Sequence, residues 1–243
     1  MLKYIHLEQI DSTNAYLQRQ QAECDIRSWV VSTDEQTAGK GMGSNGWESE
    51  VGKNLTFSLA LDVSFLPAER QFLLSKAVAL GLIHVLDALL PTEKLSIKWP
   101  NDLYYEGHKL AGILINSTIK ANMMDISIVG IGLNVNQMQF QDWPTHPISM
   151  KQITGKEYDL ETLLQQVAES VAKETEKLKN DMAAVESEYL QRLFRYRTWA
   201  DYEVGGKVQR LFMTGIDAFG QLQLVDEQQQ MHQYEIKQIK FLI

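Results

Sequence analysis

The chain has 243 residues, of which 44% are hydrophobic and 22% charged, enough for one sizeable core or for one domain with a small appendix. Its formal net charge of −8 argues against a nucleic-acid-binding protein, because such proteins rely on a basic face for most of their affinity. The single cysteine, Cys24, excludes an intramolecular disulfide and fits a reducing compartment.

The N-terminal segment MLKYIHLEQIDSTN lacks the uninterrupted apolar stretch of a secretory signal. The most apolar stretch, residues 72–90, is interrupted by Lys76, His84 and Asp87. It is therefore typical of a core-facing helix and not of a membrane span. We expect a cytoplasmic protein without a membrane partner.

Strands are predicted where β-branched or alternating apolar runs occur, at 29–33, 54–61 and 124–136. Residues 95–116 predict two further strands joined by a turn near Glu106 and Gly107. Apolar residues at helical spacing predict helices over 68–90, over a segment that Asp159 caps, and over 181–196.

The pattern changes from about Trp199 onward. Glycines recur there between short alternating runs such as KVQRLFM and QLQLV. This arrangement predicts a small all-β unit of roughly forty-odd residues that packs against the main domain. We therefore predict two domains, 1–198 and 199–243, in an α+β or mixed α/β chain with a C-terminal β-barrel.

The segment QTAGKGMGSNGW, residues 36–47, contains four glycines and includes the spelling G-x-G-x-x-G. A dinucleotide site needs those glycines between a strand and a helix N-terminus, whereas here a loop and then a strand follow them. The phosphate-loop spelling is also absent. Lys40 and Trp47 among glycines suit an anionic ligand with an aromatic ring, but a plain linker explains these residues equally well.

The segment KWPND, residues 98–102, is more specific. Its proline interrupts a strand and presents Asn101 and Asp102. Lys109 follows Lys98 by eleven residues, across a predicted hairpin. Two lysines on neighbouring strands repel each other unless an anion lies beside them, so a phosphate or carboxylate is predicted here. Two solvated surface lysines are the alternative, which the flanking Trp-Pro-Asn-Asp and Ala-Gly residues disfavour.

In the strand near 130–135, apolar residues alternate with Gly130, Gly132 and Asn134. Glycines within a strand cost stability and usually mark the close approach of a ligand or of another backbone. A bulge or tight strand packing would explain each glycine taken singly.

Four segments in this order, DSTN, QTAGKGMGSNGW, KWPNDLYYEGHKLAGIL and GIGLNVN, resemble the biotin protein ligases over nearly the whole chain. The resemblance implies an α+β fold like the class II aminoacyl-tRNA synthetase catalytic domain, a mixed and largely antiparallel sheet with packed helices. It also implies a small C-terminal SH3-like β-barrel. Some family members carry an N-terminal DNA-binding domain. This chain starts directly before DSTN, so we expect neither that domain nor a nucleic-acid partner.

The resemblance implies ATP-dependent ligation of biotin to a lysine of a biotin carboxyl carrier domain through a biotinyl-adenylate. ATP and Mg²⁺ are the implied cofactors, and we assign no residue as a metal ligand. This chemistry needs no protein nucleophile, in agreement with a sequence that shows no Ser/His/Asp signature. A lipoate or octanoyl ligase-type acyltransferase of the same fold and a non-catalytic ligand-binding regulator are the alternatives. The sequence does not determine the oligomeric state, and a homodimer stays open.

The resemblance also implies individual roles. Lys109 would contact the biotin carboxylate and the α-phosphate, and Lys98 would face phosphate; these two are the predicted catalytic residues. The predicted biotin-binding residues are Ser12, Thr13, Asn14, Gln36, Gly39, Lys40, Gly41, Met42, Lys109, Gly112, Gly130 and Gly132. The predicted ATP-binding residues are Lys40, Trp47, Lys98, Asn101, Asp102 and Asn134, with Trp47 near the adenine.

The glycine loop departs from the family pattern. Its relatives commonly read G-R-G-R-R-G, whereas this chain reads GKGMGS at 39–44. Met42 cannot make the charge-assisted contacts of a guanidinium. We hypothesise that this loop holds the adenylate less firmly, or that Asn45 or another segment compensates.

Overall fold

The computed structural model describes residues 1–43, 46–141 and 146–243. Seven strands of the described residues form a mixed sheet, in the order β1-β2-β3-β7-β6-β5-β4. They are β1 (Lys3–Ile10), β2 (Trp29–Gln36), β3 (Leu55–Asp62), β4 (Leu95–Lys98), β5 (Asp102–Tyr105), β6 (His108–Lys120) and β7 (Met123–Leu133). The β1–β2 pair is parallel, and the other neighbours are antiparallel.

The helices are α1 (Thr13–Gln21), α2 (Phe72–Asp87), α3 (Met150–Thr154), α4 (Leu160–Lys177) and α5 (Met182–Gln191). The larger apolar cluster joins one face of the sheet to α2, α4 and α5, whereas Leu17 of α1 belongs to a smaller cluster. Val30 belongs to the larger cluster and Val31 to the smaller one, so the helices cover both faces of the sheet. Across the described ranges, no helix is long and apolar enough to span a membrane.

A second, antiparallel sheet follows, in the order β11-β10-β9-β8-β12. Its strands are β8 (Trp199–Val204), β9 (Lys207–Ile216), β10 (Leu222–Val225), β11 (Met231–Tyr234) and β12 (Ile239–Phe241). Its inner side chains, including Tyr202 and Leu222, are continuous with the main apolar cluster. The predicted α+β class is confirmed. The two-domain division and the SH3-like form of the second sheet stay predictions.

Several element boundaries differ from those predicted. Residues 95–116 hold three strands and not two, because the turn at Trp99–Asn101 separates β4 from β5. The helix predicted over 68–90 opens with the 3-10 turn Ala68–Arg70 and ends at Asp87. The third predicted helix also ends early, at Gln191. Three elements, β1, α1 and α3, were not predicted; α1 is mostly polar and buries a single large apolar side chain, Leu17, so its periodicity is weak.

Candidate active site

One cavity of about 260 Å³ brings together most of the predicted site residues. The predicted residues that line it are Ser12, Thr13, Asn14, Gln36, Lys40, Gly41, Met42, Trp47, Lys98, Asn101, Asp102, Lys109, Gly112, Gly130 and Gly132. They come from the start of α1, the end of β2 and the loop after it, the β4–β5 turn with its flanking residues, the first half of β6 and the last part of β7. Segments more than a hundred residues apart therefore meet at one concave site, the usual geometry of a small-molecule pocket.

The first turn of α1 supplies a neutral hydrogen-bonding group to this cavity. Ser12 is the N-cap of the helix, and Thr13 and Asn14 are buried at its start. The hydroxyl of Ser58, on β3, lies 2.7 Å from Thr13 Oγ1 and 2.5 Å from Asn14 Oδ1. Asn14 Nδ2 donates to Asn116 Oδ1 at 3.0 Å and to a backbone carbonyl of β6. Asn14 is thus held in one orientation by neighbours on two strands.

Gln36, the last residue of β2, is tied to the same turn. Its Oε1 accepts a hydrogen bond from Thr13 N at 2.9 Å and lies 3.2 Å from Thr13 Oγ1. The amide group of Gln36 is oriented by this pair of contacts. Its Nε2 remains a donor at the cavity wall.

The glycines of the strands make room for side chains of the chain itself. A Cβ at Gly130 would lie 2.5 Å from Asn14 Oδ1, and one at Gly132 would lie 2.3 Å from the indole of Trp47. A Cβ at Gly112 would lie 3.4 Å from both the Lys109 ammonium and the Trp47 indole. These glycines therefore leave space for the groups that line the cavity, whereas the sequence predicted that the space would serve the ligand directly.

Two segments of the loop after β2, residues 39–40 and 46–47, lie side by side. Lys40 and Gly46 form an isolated antiparallel bridge, and Trp47 N donates to Gly39 O at 3.1 Å. A Cβ at Gly39 would lie 2.4 Å from the carbonyl oxygen of Trp47, so the return of the loop requires a glycine there. Ser44 and Asn45 lie outside the described residues, and the hypothesis that Asn45 compensates for Met42 stays a prediction.

The indole of Trp47 lies inside the cavity, against the floor formed by Gly112 and Gly132. Its Nε1 is buried and has no hydrogen-bond partner among the described residues. A buried donor without a partner costs free energy, so the indole is poised to donate to a ligand or to shift when one binds.

The two predicted lysines both reach the cavity, and the chain supplies an anion of its own. Lys109 Nζ lies 2.8 Å from Asp102 Oδ1, with side chains that are 22% and 13% exposed. The two groups are close enough to form an ion pair. Among the described residues, however, Asp102 Oδ1 has no partner with the geometry of a hydrogen bond. The prediction that the two lysines lie on neighbouring strands was wrong: Lys98 ends β4 and Lys109 lies on β6, with β5 between them. The carboxylate of Asp102, on that middle strand, supplies Lys109 with an anion without a ligand.

Lys98 is a partly buried cation at the cavity wall. Burial lowers the pKa of its ammonium below the usual value, the charge of Asp102 opposes that change, and the positive charges of Lys109 and Arg195 add to it. Its Nζ lies 4.9 Å from the centroid of the Tyr104 ring. A desolvated ammonium with no dedicated carboxylate gains strongly from an incoming anion.

Asn101 and Asn134 are engaged with the backbone. Asn101 Nδ2 donates to Ile113 O at 2.7 Å, which ties the turn after β4 to β6. Asn134 Nδ2 donates to Lys109 O and Ile148 O, at 3.3 and 3.2 Å. As far as the described residues define the cavity wall, Asn134 and Gly39 lie outside it. Asn134 therefore supports the strand that carries Lys109 and does not present its amide to the cavity.

Two hydroxyl-bearing residues at the site were missed by the sequence analysis. Thr56 lines the cavity, and the hydroxyl of Ser58 is fully buried against Thr13 and Asn14. The available signal was the period-two placement of these polar residues in the otherwise apolar segment NLTFSLAL. On β3 they pair with Gly132 and Gly130, the residues already singled out on the neighbouring strand.

No group of three or more His, Cys, Asp and Glu side chains in the described part of the chain is placed to hold a metal ion. The cavity does contain the carboxylate of Asp102, whose Oδ1 accepts no hydrogen bond from any residue that the structure describes. Mg²⁺ is often held by one or two carboxylates together with substrate phosphates, and this carboxylate fits that pattern.

A family model described as the biotin/lipoate A/B protein ligase family matches residues 6–136. A biotin–[acetyl-CoA-carboxylase] ligase of Paracoccus denitrificans is 30% identical over 226 residues, covering 89% of this chain and 91% of that protein. The bifunctional ligase/repressor BirA of Bacillus spizizenii is 32% identical over 142 residues, covering 57% of this chain and 43% of that protein. The chain therefore matches less than half the length of this second relative.

Solved structures share the fold over the whole chain. The biotin protein ligase from Aquifex aeolicus in complex with biotin and ATP aligns with a TM-score of 0.79 and 22% identity, covering 99% of this chain and 98% of that one. The biotin protein ligase from Leishmania major in complex with biotinyl-5-AMP aligns with a TM-score of 0.67 and 20% identity, covering 96% and 98%.

Proposed function

The chain belongs to the biotin/lipoate A/B protein ligase family, and from this membership and the geometry of the site we propose that it ligates biotin to a lysine of a biotin carboxyl carrier domain in an ATP-dependent reaction. The names of the relatives support biotin as the acyl substrate and a carboxylase carrier as the acceptor. The complex with biotin and ATP of a protein of the same fold supports ATP as the activating nucleotide.

One observation carries the proposal. The cavity holds a neutral hydrogen-bonding group and a cationic group, and the two lie beside different residues along one strand, β7. Asn14 fills the space above Gly130, and Trp47 fills the space above Gly132. Lys109 lies beside Gly112, the residue paired with Gly132. Two residues along a strand span about 7 Å. Biotin has matching chemistry, with a ureido ring at one end and a carboxylate at the end of its tail.

In the proposed first step, a biotin carboxylate oxygen attacks the α-phosphorus of ATP, an acyl–phosphate bond forms, and pyrophosphate leaves. The carboxylate and the phosphate repel each other, so the step requires cations that draw both into contact. Lys109 is the proposed catalytic group because it lines the cavity beside the indole and holds a carboxylate already, that of Asp102. Lys98 is the proposed second cation, for the phosphates.

In the proposed second step, the carrier lysine amine attacks the acyl carbon, an amide forms, the amine loses a proton and AMP leaves. Neither step needs a nucleophile from this chain. The glycine loop and Trp47 would exclude water from the mixed anhydride, which otherwise hydrolyses. Asn14, Gln36 and the Ser12 hydroxyl would bind the ureido group.

Mg²⁺ is part of the proposal, with Asp102 as the residue that would hold it together with the phosphates of ATP. When bound, the ion supplies neutralisation of phosphate charge. Release of the Asp102 carboxylate from Lys109 would then free the lysine for the substrate anions. This exchange of partners is consistent with an ion pair that lacks hydrogen-bond geometry.

The test is to mix the protein with ATP, Mg²⁺, biotin and a purified carrier domain and to weigh the carrier by mass spectrometry. We expect a gain of one biotin less one water, and none when ATP is omitted. Parallel reactions with lipoate and octanoate separate the related acyltransferases of this fold. A carrier of unchanged mass, together with no biotin-dependent exchange of pyrophosphate into ATP, would favour a non-catalytic regulator.

A further inference from the structure

The second sheet places an aromatic side chain, Phe241 on β12, beside the cavity residue Lys98. The ammonium of Lys98 lies 5.4 Å from the centroid of the Phe241 ring and 4.9 Å from that of Tyr104 on β5. Lys98 itself lines the cavity. The lysine is therefore flanked by one ring from each sheet, at distances where a cation is attracted to an aromatic face.

We propose that Tyr104 and Phe241 are positioning residues for Lys98, and that the second sheet in this way takes part in the use of ATP. The inference rests on the proposed function, since it assigns the phosphates of ATP as the anion that Lys98 meets.

A lysine side chain without such support would be poorly placed for this task. Its four-carbon stem is flexible, and an ammonium without a dedicated carboxylate is costly to bury. In the described residues, Lys98 makes no ion pair within 4 Å, whereas Lys109 is paired with Asp102. Two ring faces offset part of the burial cost and restrict the ammonium to the cavity wall without neutralising it.

The Phe241 ring is itself firmly held. It is 9% exposed and packs edge-on against Tyr202, with ring centroids 5.1 Å apart. It also lies 6.4 Å from Phe194, which in turn lies 6.2 Å from Tyr104. The rings beside Lys98 therefore form one connected aromatic group that joins the two sheets.

A second contact anchors the residue next to Lys98 to the same sheet. The indole Nε1 of Trp99 donates to the carbonyl of Gly220 at 2.9 Å, in a buried hydrogen bond. Gly220 lies in the turn before β10. The end of β4 is thus tied to the second sheet at two consecutive residues.

The test measures biotin-dependent exchange of pyrophosphate into ATP by the full chain, with the KM values of ATP and biotin determined separately. For Phe241→Leu and for Tyr104→Leu we expect kcat/KM for ATP to fall about tenfold with the KM of biotin unchanged. Tyr104→Phe keeps the ring and should retain wild-type values. Phe212→Leu removes a ring from β9 that packs at a tilt against Trp199, and it serves as the matched control.

If the wild-type chain exchanges pyrophosphate and both leucine variants keep its kcat/KM for ATP, this inference is overturned while the proposed function stands. An equal loss for ATP and biotin would also overturn it, because that result indicates general damage to the site. Should Phe241→Leu fail to fold, the Tyr104→Leu and Tyr104→Phe pair gives the same comparison within the main sheet. Absence of exchange in the wild-type chain would instead overturn the proposed function, and this inference with it.

Discussion

Asp102 on β5 and Lys109 on β6 form an ion pair between neighbouring strands, and neither is freely hydrated, with side chains 13% and 22% exposed. A partly buried ion pair contributes little net stability, because the cost of desolvation offsets much of the attraction between the two groups. The pair keeps both charges in the cavity while no substrate is bound. Their arrangement is therefore suited to exchange with a ligand that carries its own carboxylate and phosphates.

The substitution Lys109→Ala should reduce adenylate formation about a hundredfold or more, because it removes the charge-assisted contact that we propose this lysine makes to the reacting groups. Biotin-dependent exchange of pyrophosphate into ATP measures this loss. The matched control is Lys120→Ala, on the same strand, where the lysine is 71% exposed and pairs with Asp125. Exchange at the wild-type rate in Lys109→Ala would remove this lysine from the mechanism.

Burial lowers the pKa of Lys98 below the ordinary lysine value of 10.5. The protonated form attracts phosphate, so kcat/KM for ATP should be full at lower pH and should fall as pH rises through the lowered pKa. Tyr104 does not interfere, because burial raises the pKa of its hydroxyl. The pH profile of the exchange reaction between neutral pH and 10.5 measures this fall.

Lys98→Arg tests the assignment, because a guanidinium keeps its charge to above about pH 12. The alkaline fall should move to higher pH in this variant, whatever its maximal rate. A fall at the same pH in both proteins would assign the titration to another group.

At the scale of the elements, α2 and α4 approach each other closely at Gly81. A Cβ at Gly81 would lie 2.6 Å from Val171 Cα and 2.9 Å from Val171 N. Both neighbours are backbone atoms of a helix, which cannot turn away as a side chain can. The glycine therefore sets how closely α4 packs on α2.

The substitution Gly81→Ala should destabilise the protein despite its favourable effect on the helix. Alanine gains about 1 kcal/mol over glycine in helix propensity, but overpacking against a rigid neighbour costs about 1–3 kcal/mol. Urea denaturation measures the free energy of unfolding. Ser75→Ala, on the same helix at a half-buried site, is the control and should be close to neutral. Greater stability in Gly81→Ala would show that α4 moves aside freely.

At the scale of the molecule, the two sheets share one apolar cluster, and Lys98 at the end of β4 lies beside an aromatic ring from each of them. Trp99 is 3% exposed, and its indole donates across the junction to Gly220. Gly220 in turn lies against the ring of Phe72 on α2, where a Cβ would approach to 2.5 Å. Close contacts therefore join the main sheet, the second sheet and α2 at this junction.

Trp99→Phe should lower the free energy of unfolding by about 1–3 kcal/mol, because the buried carbonyl of Gly220 loses its donor. Thermal unfolding measures the change. The control Trp199→Phe makes the same replacement on the second sheet at a residue 38% exposed, where little effect is expected. Equal melting temperatures in the two variants would mean that the junction does not depend on this hydrogen bond.

The sequence by itself determined the fold class, most strands and the groups that meet in the cavity. Local signals are sufficient for these features: alternation predicts strands such as β3 and β7, Asp159 caps α4 as predicted, and KWPND with Lys109 marks the site. The local sequence pattern did not predict α1, because its residues are mostly polar. It also predicted too few strands in residues 95–116, where a proline turn divides one predicted strand into two.

Tertiary structure alone decided what each group contacts. Ser58 meets Asn14 across 44 residues of chain, and Trp99 meets Gly220 across 121. The space above Gly132 is filled by Trp47, the carboxylate beside Lys109 is that of Asp102, and Phe241 lies beside Lys98. Such contacts join residues far apart in the chain, so no local pattern records them. These contacts form during folding, when burial of both faces of the sheet brings the partner residues close to each other.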